Sequence, residues 1–541
     1  MGLIRELTRL QAQHGYLRKK DLDALSERLR VPPYRIQEVA SFYPHFRLTP
    51  PPIREVAVCR DLCCFLNGSE GFGARLRERL AGRGDVEIRE VSCLGRCDRA
   101  PAASVNGSPV RGGDAEAVAA LLEHPRSRPG LARSGGGRRW RMDPYGEGEA
   151  PFSIYRTWAA RPDDRAAEVT ETLKAAGLRG MGGAGFPTGT KWELVRREAA
   201  SPKYVVCNAD ESEPGTFKDR VLLEELPHLV IEGICFAAAV VGAERGWIYL
   251  RQEYEHAAPP LERAIAEARS RGVLGGTFDI EIFLSPGGYI LGEETALLEA
   301  LEDRRGEPRN RPPYPGSRGL RGNPTVVNNV ETLAMVPGIV GRGAEWWKGQ
   351  GVRGHQGLKV MAVSGHVERP GVYEISMGTT AAELIQMAGG VKAGQPLKAF
   401  APGGASAPFL PAEKAELPID FSSVEAAGSL LGSGGLVVIA DGTDMIAVAA
   451  NVVRFFRNES CGKCVPCRTG TEKVSRMLAD ILAGYGGGAL VELLPRLEET
   501  LAQTSICGLG QVALNPLTSA LKYWRPELDA HLARSNARAH A

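Results

Sequence analysis

Residues 177–192, GLRGMGGAGFPTGTKW, carry six glycines, five of them between Gly180 and Gly189. Glycine lets a backbone turn with positive φ and come close to a ligand. Successive N–H groups leading into a helix start make a cradle for phosphate. Gly180, Gly182 and Gly185 satisfy the G-x-G-x-x-G spacing, which alone is a weak signal. A P-loop is excluded, because Gly189 is followed by Thr190 and the lysine comes one place late, at Lys191. Taken alone, the stretch reads as a flexible loop; its neighbours change that reading.

Three more polar loops follow in the same part of the chain. KYVVCNADESEPGTFKDR, 203–220, begins as a short buried strand and ends in an acidic turn with Asn208, Asp210, Glu211 and Glu213. A strand over 279–284 runs into SPGGYILGEETALLEALED, where Gly287 and Gly288 turn the chain and Glu293 and Glu294 open a helix. Two acids in a first helical turn also suit the helix dipole, with no ligand needed. NPTVVNNVET, 323–332, brings Asn328 and Asn329. In α/β sheets ligands sit beyond the carboxyl ends of strands, where acids accept hydrogen bonds from ribose or ribityl hydroxyls. Polar, glycine-rich loops following apolar segments in one unit point to a nucleotide or flavin pocket in a Rossmann-like domain.

With 541 residues the chain exceeds one core, and about three to five domains are expected. Hydrophobic content of 43%, charged content of 24% and a net charge of +2 are ordinary for a globular protein and give no field that selects nucleic acid or acidic lipid. The start, MGLIRELTRL, lacks a signal peptide's apolar run and, with Glu6 in sixth place, a myristoylation signal. The most apolar run, near 234–241, falls short of the ~20 residues of a membrane span. A soluble, cytoplasmic protein without direct membrane insertion or nucleic-acid partner is expected.

Eleven cysteines fall into two sets and three singles. In a large intracellular chain such sets suggest metal rather than disulfides. Cys59, Cys64, Cys93 and Cys97 form C-x4-C and C-x3-C pairs on loops after two predicted strands, a pattern open to a [2Fe–2S] cluster or to zinc. Cys63 adjoins Cys64, and adjacent residues rarely both ligate one small cluster. Cys461, Cys464 and Cys467 form C-x2-C-x2-C, matching three corners of a [4Fe–4S] cube, with Cys507 as the distant fourth; zinc would more often take two C-x2-C knuckles. Cys63, Cys207 and Cys235 are left over.

An α/β multidomain chain is expected: a helical arm at 1–48, a strand-and-helix domain at 49–125, an arginine-rich linker at 126–150, the flavin or nucleotide domain at 151–340, a small α+β module at 341–440 and a helical iron–sulfur domain at 441–541. His366, in the small module, reads as a surface or packing histidine.

The glycine stretch, CNADESEPGTFKDR, GGYILGEETALLEALE, NPTVVNNVET, and ESCGKCVPCR with SICGLG closely resemble the family of flavin-binding, NADH-oxidising subunits of respiratory complex I. EVASFYPHF, the C-x4-C pair ending in Cys64, and SCLGRCDRAPA resemble the smaller, thioredoxin-like [2Fe–2S] subunit of the same complex. The chain thus resembles a fusion of the two, as in the diaphorase (β) subunits of NAD-dependent formate dehydrogenases and in NAD-reducing hydrogenases; ICGLGQVALNPLTSALKYW is most similar to the formate dehydrogenase version. The resemblance implies a thioredoxin-like N-terminal domain, a ubiquitin-like (SLBB-type) module, FMN and NAD(H) in one pocket, and Cys64 rather than Cys63 as the ligand. It places Gly180, Gly182, Gly183, Lys191, Asn208, Asp210, Glu211, Tyr289, Gly292, Asn328 and Asn329 around FMN. Glu213, Glu293 and Glu294 would face the nicotinamide or ribose, as the residues closest to catalysis. Phe186 and Tyr314 would stack on adenine. Met181 stands where the family often has arginine, and Leu291 where it often has cysteine, which bears on flavin potential and NADH affinity rather than on cluster ligation.

A nicotinamide exchanges a hydride, two electrons at once, whereas a cluster carries one; flavin does both and belongs between them. Direct hydride transfer needs no protein acid or base, in keeping with the lack of an evident His-Asp or Ser-His constellation. The partner implied by the resemblance is a molybdenum or tungsten formate-oxidising subunit with further iron–sulfur clusters. Rival readings are the same module on a hydrogenase or on complex I, and a non-catalytic zinc-stabilised scaffold.

Overall fold

The computed structural model describes residues 2–123, 138–146, 148–161, 165–486 and 488–539. Of the linker expected at 126–150, residues 126–137 and 147 lie outside the described residues. The chain divides into two compact units.

The first unit takes residues up to 54, then 138–212 and 218–360 among those described. Its centre is a four-stranded sheet in the order Asp279–Leu284, Ala243–Leu250, Lys203–Ala209, Thr325–Asn329, parallel throughout. The central strand reads KYVVCNA, and Val205, Val206 and Cys207 are wholly buried, as expected for a parallel strand covered on both faces. Helix Pro227–Val241 is apolar nearly all round and correspondingly buried. It packs against helix Val330–Arg342 so closely that a Cβ on Gly233 would lie 2.1 Å from the Leu333 carbonyl oxygen. All four strands run the same way, so the loops after Ala209, Leu250, Leu284 and Asn329 collect at one edge.

Three N-terminal helices, Leu3–His14, Lys19–Leu29 and Pro33–Phe42, belong to this same unit. Leu3, Ile4, Leu7 and Leu10 form a buried stripe at helical spacing. The Ile4 N–H donates to Asp303 Oδ1 at 2.8 Å, Arg5 pairs with Glu281 at 2.8 Å, and the Tyr43 hydroxyl donates to the Arg304 carbonyl.

The second unit takes 55–123, 213–217 and 361–539 of the described residues. One sheet runs in the order Val86–Val91, Arg54–Cys59, Ala102–Val105, Ser108–Arg111. Helices Ser69–Arg79 and Ala115–Glu123 cover it through Phe72, Leu76, Val118 and Leu122, a thioredoxin-like layer arrangement. A second sheet has Leu358–Gly365 parallel to Gly435–Ala440 at its centre. Beside it, helix Ala381–Met387 starts on a reciprocal Thr380–Glu383 capping box. This is the small ubiquitin-like α+β module. From Met445 onward the described chain is helical.

Two local readings differ from expectation. Cys64 lies in a short helix, Leu62–Leu66, rather than a loop, because the Asp61 carbonyl accepts the Cys64 and Phe65 N–H groups. Likewise the C-x2-C-x2-C triplet runs into helix Val465–Ala483, with Pro466 in its first turn, a place proline favours because no intrahelical N–H is needed there.

Candidate functional site: a flavin edge and two cysteine sets

The glycine stretch is a pinned loop, not a slack one. The Gly180 N–H donates to the Phe186 carbonyl at 2.9 Å, Arg179 Nε donates to the Gly185 carbonyl at 2.7 Å, and the Thr188 N–H donates to the Leu178 carbonyl at 2.9 Å. Gly183 and Gly185 take φ of +129° and +64°, which a side chain would disfavour. The Met181 N–H donates to Thr332 Oγ1 at 2.8 Å. A Cβ on Gly182 would come within 2.9 Å of the Asn329 Cβ. The loop therefore docks on the end of strand Thr325–Asn329.

Around it the sheet edge supplies polar groups. Asn208 Nδ2 donates to the Gly292 carbonyl at 2.8 Å, and a Cβ on Gly292 would sit 3.1 Å from the Asp210 carbonyl oxygen. Asp210 accepts from Ser212 Oγ at 2.5 Å and Ser285 Oγ at 2.9 Å, while burial pushes its carboxyl up to about 6. Glu211 accepts from the Asp219 and Arg220 N–H groups and from the Tyr254 hydroxyl at 3.1 Å; burial and then the Asp219 charge raise it to about 7. Its role in this edge is to clamp the backbone. Asn328 Oδ1 accepts from Trp192 Nε1 at 2.8 Å, and Asn329 caps helix Val330–Arg342 while donating to Asp219 Oδ2 at 2.6 Å.

Glu293 is the N-cap of helix Glu294–Leu301, its Oε2 accepting the Thr295 and Ala296 N–H groups at 3.0 and 2.9 Å. Its other oxygen, Oε1, is buried without a hydrogen-bond partner, and burial raises the carboxyl. Arg311 lies 3.7 Å from that oxygen and 3.4 Å from Glu294, and Lys191 lies 3.6 Å from Glu294. Lys191 also donates to the Val327 carbonyl at 3.0 Å. Two cations thus face two carboxylates at the sheet edge. Tyr289 opens the short helical turn Tyr289–Gly292. Phe186 and Tyr314 are 46% and 60% exposed, open aromatic faces available for stacking. Glu213 belongs to the second unit, where Oε1 accepts the Ser406 N–H at 2.6 Å.

Arg311 was not legible beforehand. It sits 17 residues beyond Glu294 in a proline-rich turn, and only a cation following the acid pair could have hinted at it. Equally hidden was a buried charge chain: Lys218 reaches Asp219 at 2.7 Å and Glu331 at 2.8 Å, and Lys359 reaches Glu331 at 2.6 Å. Burial opposes ionisation of Glu331, yet the two lysines hold it below the usual range; burial brings Lys359 down to about 8.

In the second unit, Cys59, Cys64, Cys93 and Cys97 converge and are buried. Cys59 has Cys64 and Cys93 as sulfur neighbours, and these, followed by burial, push its thiol well up. Cys93 and Cys97 lie 3.5 Å apart. Backbone N–H groups of Gly95, Ala102 and Gly215 donate to the sulfurs of Cys93, Cys64 and Cys97 at 3.4, 3.3 and 3.4 Å. Crowded thiols with N–H donors aimed at sulfur fit thiolates held by iron. At the other set, burial lifts Cys467 to about 11, Cys464 and Cys461 adding to it, and Ser460 Oγ lies 3.3 Å from its sulfur. Cys507 caps helix Gly508–Val512, whose Gly510 would place a Cβ 3.0 Å from the Cys467 Cβ. The tight glycine loop and Glu293 Oε1, which has no hydrogen-bond partner, likewise fit a flavin and a hydroxyl-bearing ligand.

These features define a redox subunit built to hold FMN, NAD(H), a [2Fe–2S] and a [4Fe–4S] cluster. Residues 173–338 match the Nuo51 FMN-binding domain, 447–531 the NADH-ubiquinone oxidoreductase-F iron–sulfur binding region, 1–126 the thioredoxin-like [2Fe–2S] ferredoxin and 360–410 the SLBB domain. The second F-type subunit of NADH-quinone oxidoreductase from Rhizobium meliloti is 47% identical over 373 residues, covering 68% of this chain and 89% of that one. The F-type subunit from Escherichia coli is 44% identical over 383 residues, covering 69% and 86%. The chain belongs to this family of F-type NADH-quinone oxidoreductase subunits, the flavoprotein of complex I, with a thioredoxin-like [2Fe–2S] ferredoxin domain fused to it. A crystal structure of an NAD+-reducing [NiFe]-hydrogenase in the air-oxidised state is similar over 97% of this chain and 93% of its own, at 34% identity and a TM-score of 0.86. Among the described residues no helix is long and apolar enough to cross a membrane.

Proposed function

We propose that this chain is the cytoplasmic NAD(H)-linked diaphorase subunit of a formate dehydrogenase, with a molybdenum or tungsten formate-oxidising subunit, carrying further iron–sulfur clusters, as its partner. The observation that carries the diaphorase reading is the cation–carboxylate set at the sheet edge, Lys191, Arg311, Glu293 and Glu294, beside a glycine loop too tight for side chains. FMN, when bound, exchanges a hydride with nicotinamide and single electrons with a cluster. The chain's own residues hold the two rings. The loop at Gly180, Gly182 and Gly183, with Asn208, Asp210, Asn328 and Asn329, surrounds the flavin. Arg311 and Lys191 meet the dinucleotide's negative charge. Glu293 Oε1 accepts from a ribose hydroxyl, and Phe186 and Tyr314 stack on adenine. No side chain moves a proton, so orientation and water exclusion are the protein's contribution. Cys59, Cys64, Cys93 and Cys97 take the [2Fe–2S] cluster, and Cys461, Cys464, Cys467 and Cys507 the [4Fe–4S] cluster.

The formate partner is supported by the similarity of residues 506–524 to the formate dehydrogenase form. A second reading, an NAD-reducing hydrogenase subunit, is supported by the likeness along nearly the whole chain to the solved hydrogenase. The test is to purify the tagged complex from its own host without oxygen and follow NADH formation with formate and, separately, with hydrogen. NADH from formate alone upholds the proposal. NADH from hydrogen alone replaces it with the second reading. A colourless, zinc-containing preparation defeats both.

A further inference from the structure

The first turn of helix Val330–Arg342 joins the glycine loop to a set of buried charges. Asn329 caps the helix, its Oδ1 accepting the Glu331 N–H at 2.9 Å. A Cβ on Gly182 would lie 2.9 Å from the Asn329 Cβ, and Thr332 Oγ1 holds the Met181 N–H. Between them Glu331 is wholly buried, as are Lys218 and Lys359, and Asp219 is 2% exposed. Glu331 Oε2 meets Lys359 Nζ at 2.6 Å and Lys218 Nζ at 2.8 Å, while Oε1 accepts the Val360 N–H at 2.8 Å. Lys218 also meets Asp219 Oδ1 at 2.7 Å, and Asp219 Oδ2 accepts from Asn329 Nδ2 at 2.6 Å. A continuous chain of contacts thus runs from Lys359 to the Asn329 amide.

Buried ion pairs rarely stabilise more than well-packed apolar residues would, though breaking one is costly. Stability alone gives no reason for four charges here, and their polar end is the amide at the flavin edge. We propose that Lys218 and Lys359, acting through Glu331 and Asp219, position Asn329 and the Gly182 backbone for the flavin, and that the charge on Lys359 sets the flavin's affinity and potential. The inference rests on the reading of the glycine loop and Asn329 as the flavin site. With Lys359 charged, two cations balance two anions. Loss of its proton leaves a net negative charge behind Asn329. Electrons then enter the flavin less readily, because solvent and salt screen a buried charge only weakly. Burial brings Lys359 down to about 8; of the charges facing it, Glu331 and Asp219 favour its proton and Lys218 opposes it. On Lys218 burial is overcome by the charges of Asp219, Glu331 and Glu211, which keep the proton in place. Lys359 acts through Glu331 and is a positioning residue.

The test is FMN titration by fluorescence, with a spectroelectrochemical titration of the bound flavin, on the whole chain across about pH 6–10. Lys359→Met is expected to bind FMN about tenfold more weakly near pH 7. At a fixed potential its reduced-to-oxidised ratio falls about tenfold, which for two electrons is about 30 mV. Glu211 and Asp210, raised to about 7 and about 6, titrate in parent and variant alike, so the difference between the two proteins is the readout. That difference closes above about pH 8, where the parent's own lysine loses its proton. Lys359→Arg, which keeps the charge, matches the parent near pH 7 and lacks its fall at high pH; it serves if Lys359→Met fails to fold. No difference between parent and Lys359→Met overturns the proposal. So does a difference that is equal at every pH, since Lys359 would then only pack. A Lys359→Arg protein that follows the parent's profile through pH 8 overturns it as well. A parent chain that binds no FMN fails the flavin reading itself, a distinct result.

Discussion

Arg311 and Glu232 show how much one side chain can carry in this protein. Arg311 is the cation that pairs with Glu293 Oε1, an oxygen without a hydrogen-bond partner. In the proposed site it would meet the dinucleotide's negative charge, and its replacement would remove a charged contact worth about 1.5–3 kcal/mol. Arg311→Ala is therefore expected to raise KM for NADH at least about tenfold, with kcat for dye reduction much less affected, in steady-state assays; an unchanged KM would remove Arg311 from the site. Glu232 is wholly buried, with the Tyr145 hydroxyl bonded to its carboxylate at 2.7 Å and the Tyr155 N–H at 2.9 Å. Burial nevertheless raises it to about 7, against hydrogen bonding from Tyr145 and Tyr155. The folded state thus holds a proton there that the unfolded chain, titrating near 4.3, has released. This contribution to stability is full below about pH 4 and is lost as pH rises through 7. Glu232→Gln is expected to change stability little near pH 5 and to raise it at pH 8 by up to about 3 kcal/mol, read as a higher thermal midpoint. A midpoint that falls equally at both pH values would show that the carboxyl's hydrogen bonds outweigh its charge.

Among the elements, the pair of helices Pro227–Val241 and Val330–Arg342 is the least forgiving. Their approach requires a residue without Cβ at 233, since the obstructing atoms, 2.1 and 2.6 Å away, are the Leu333 backbone oxygen and carbon. Backbone cannot swing aside as a side-chain tip can. Gly233→Ala is expected to cost about 3 kcal/mol or more and to weaken flavin retention, because Val330–Arg342 carries Thr332, which holds the Met181 N–H. Gly276→Ala, with nothing within 4 Å, is the control and should be neutral. Equal melting temperatures for the two would show that the helices separate freely. The helix Pro227–Val241 was visible in the sequence only as the most apolar run; its closest contact was not, because the partner lies about a hundred residues on.

At the scale of the molecule, the N-terminal helices belong with the flavin unit, although the thioredoxin-like ferredoxin match begins at residue 1. Phe42 and Tyr43 lie 3.5 Å from the position a Cβ on Gly306 would take, against Leu291, and His45 lies 3.7 Å from that on Gly287. The helices thus buttress the turn that carries Tyr289 and Gly292. A chain starting at Glu55 is expected to keep the [2Fe–2S] EPR signal while binding FMN at least about tenfold more weakly, a loss of ~1.4 kcal/mol, by fluorescence titration. Undiminished FMN affinity would show that the buttress carries no part of the site.

Local chemistry was readable where it is short in sequence. C-x2-C-x2-C, the paired cysteines after two strands, the glycine loop and the acid-bearing turns each announce themselves within about twenty residues; from them came the α/β class, a nucleotide or flavin pocket and the metal sets, and the family resemblance they carry implied FMN, NAD(H) and the pocket residues. What needed the tertiary structure are pairings between distant segments. Nothing near Lys218 or Lys359 in the sequence announces that both meet Glu331 in the interior. Arg311 becomes a site residue only when its turn folds back on the Glu294 helix. Cys63 and Cys64 are indistinguishable as letters, and the turn of one short helix sends one toward the Ser364 hydroxyl and the other toward the Ala102 N–H. A residue's type and near neighbours set what chemistry it can do. Which distant charge, sulfur or backbone group it meets is set by packing, and packing depends on the whole chain at once.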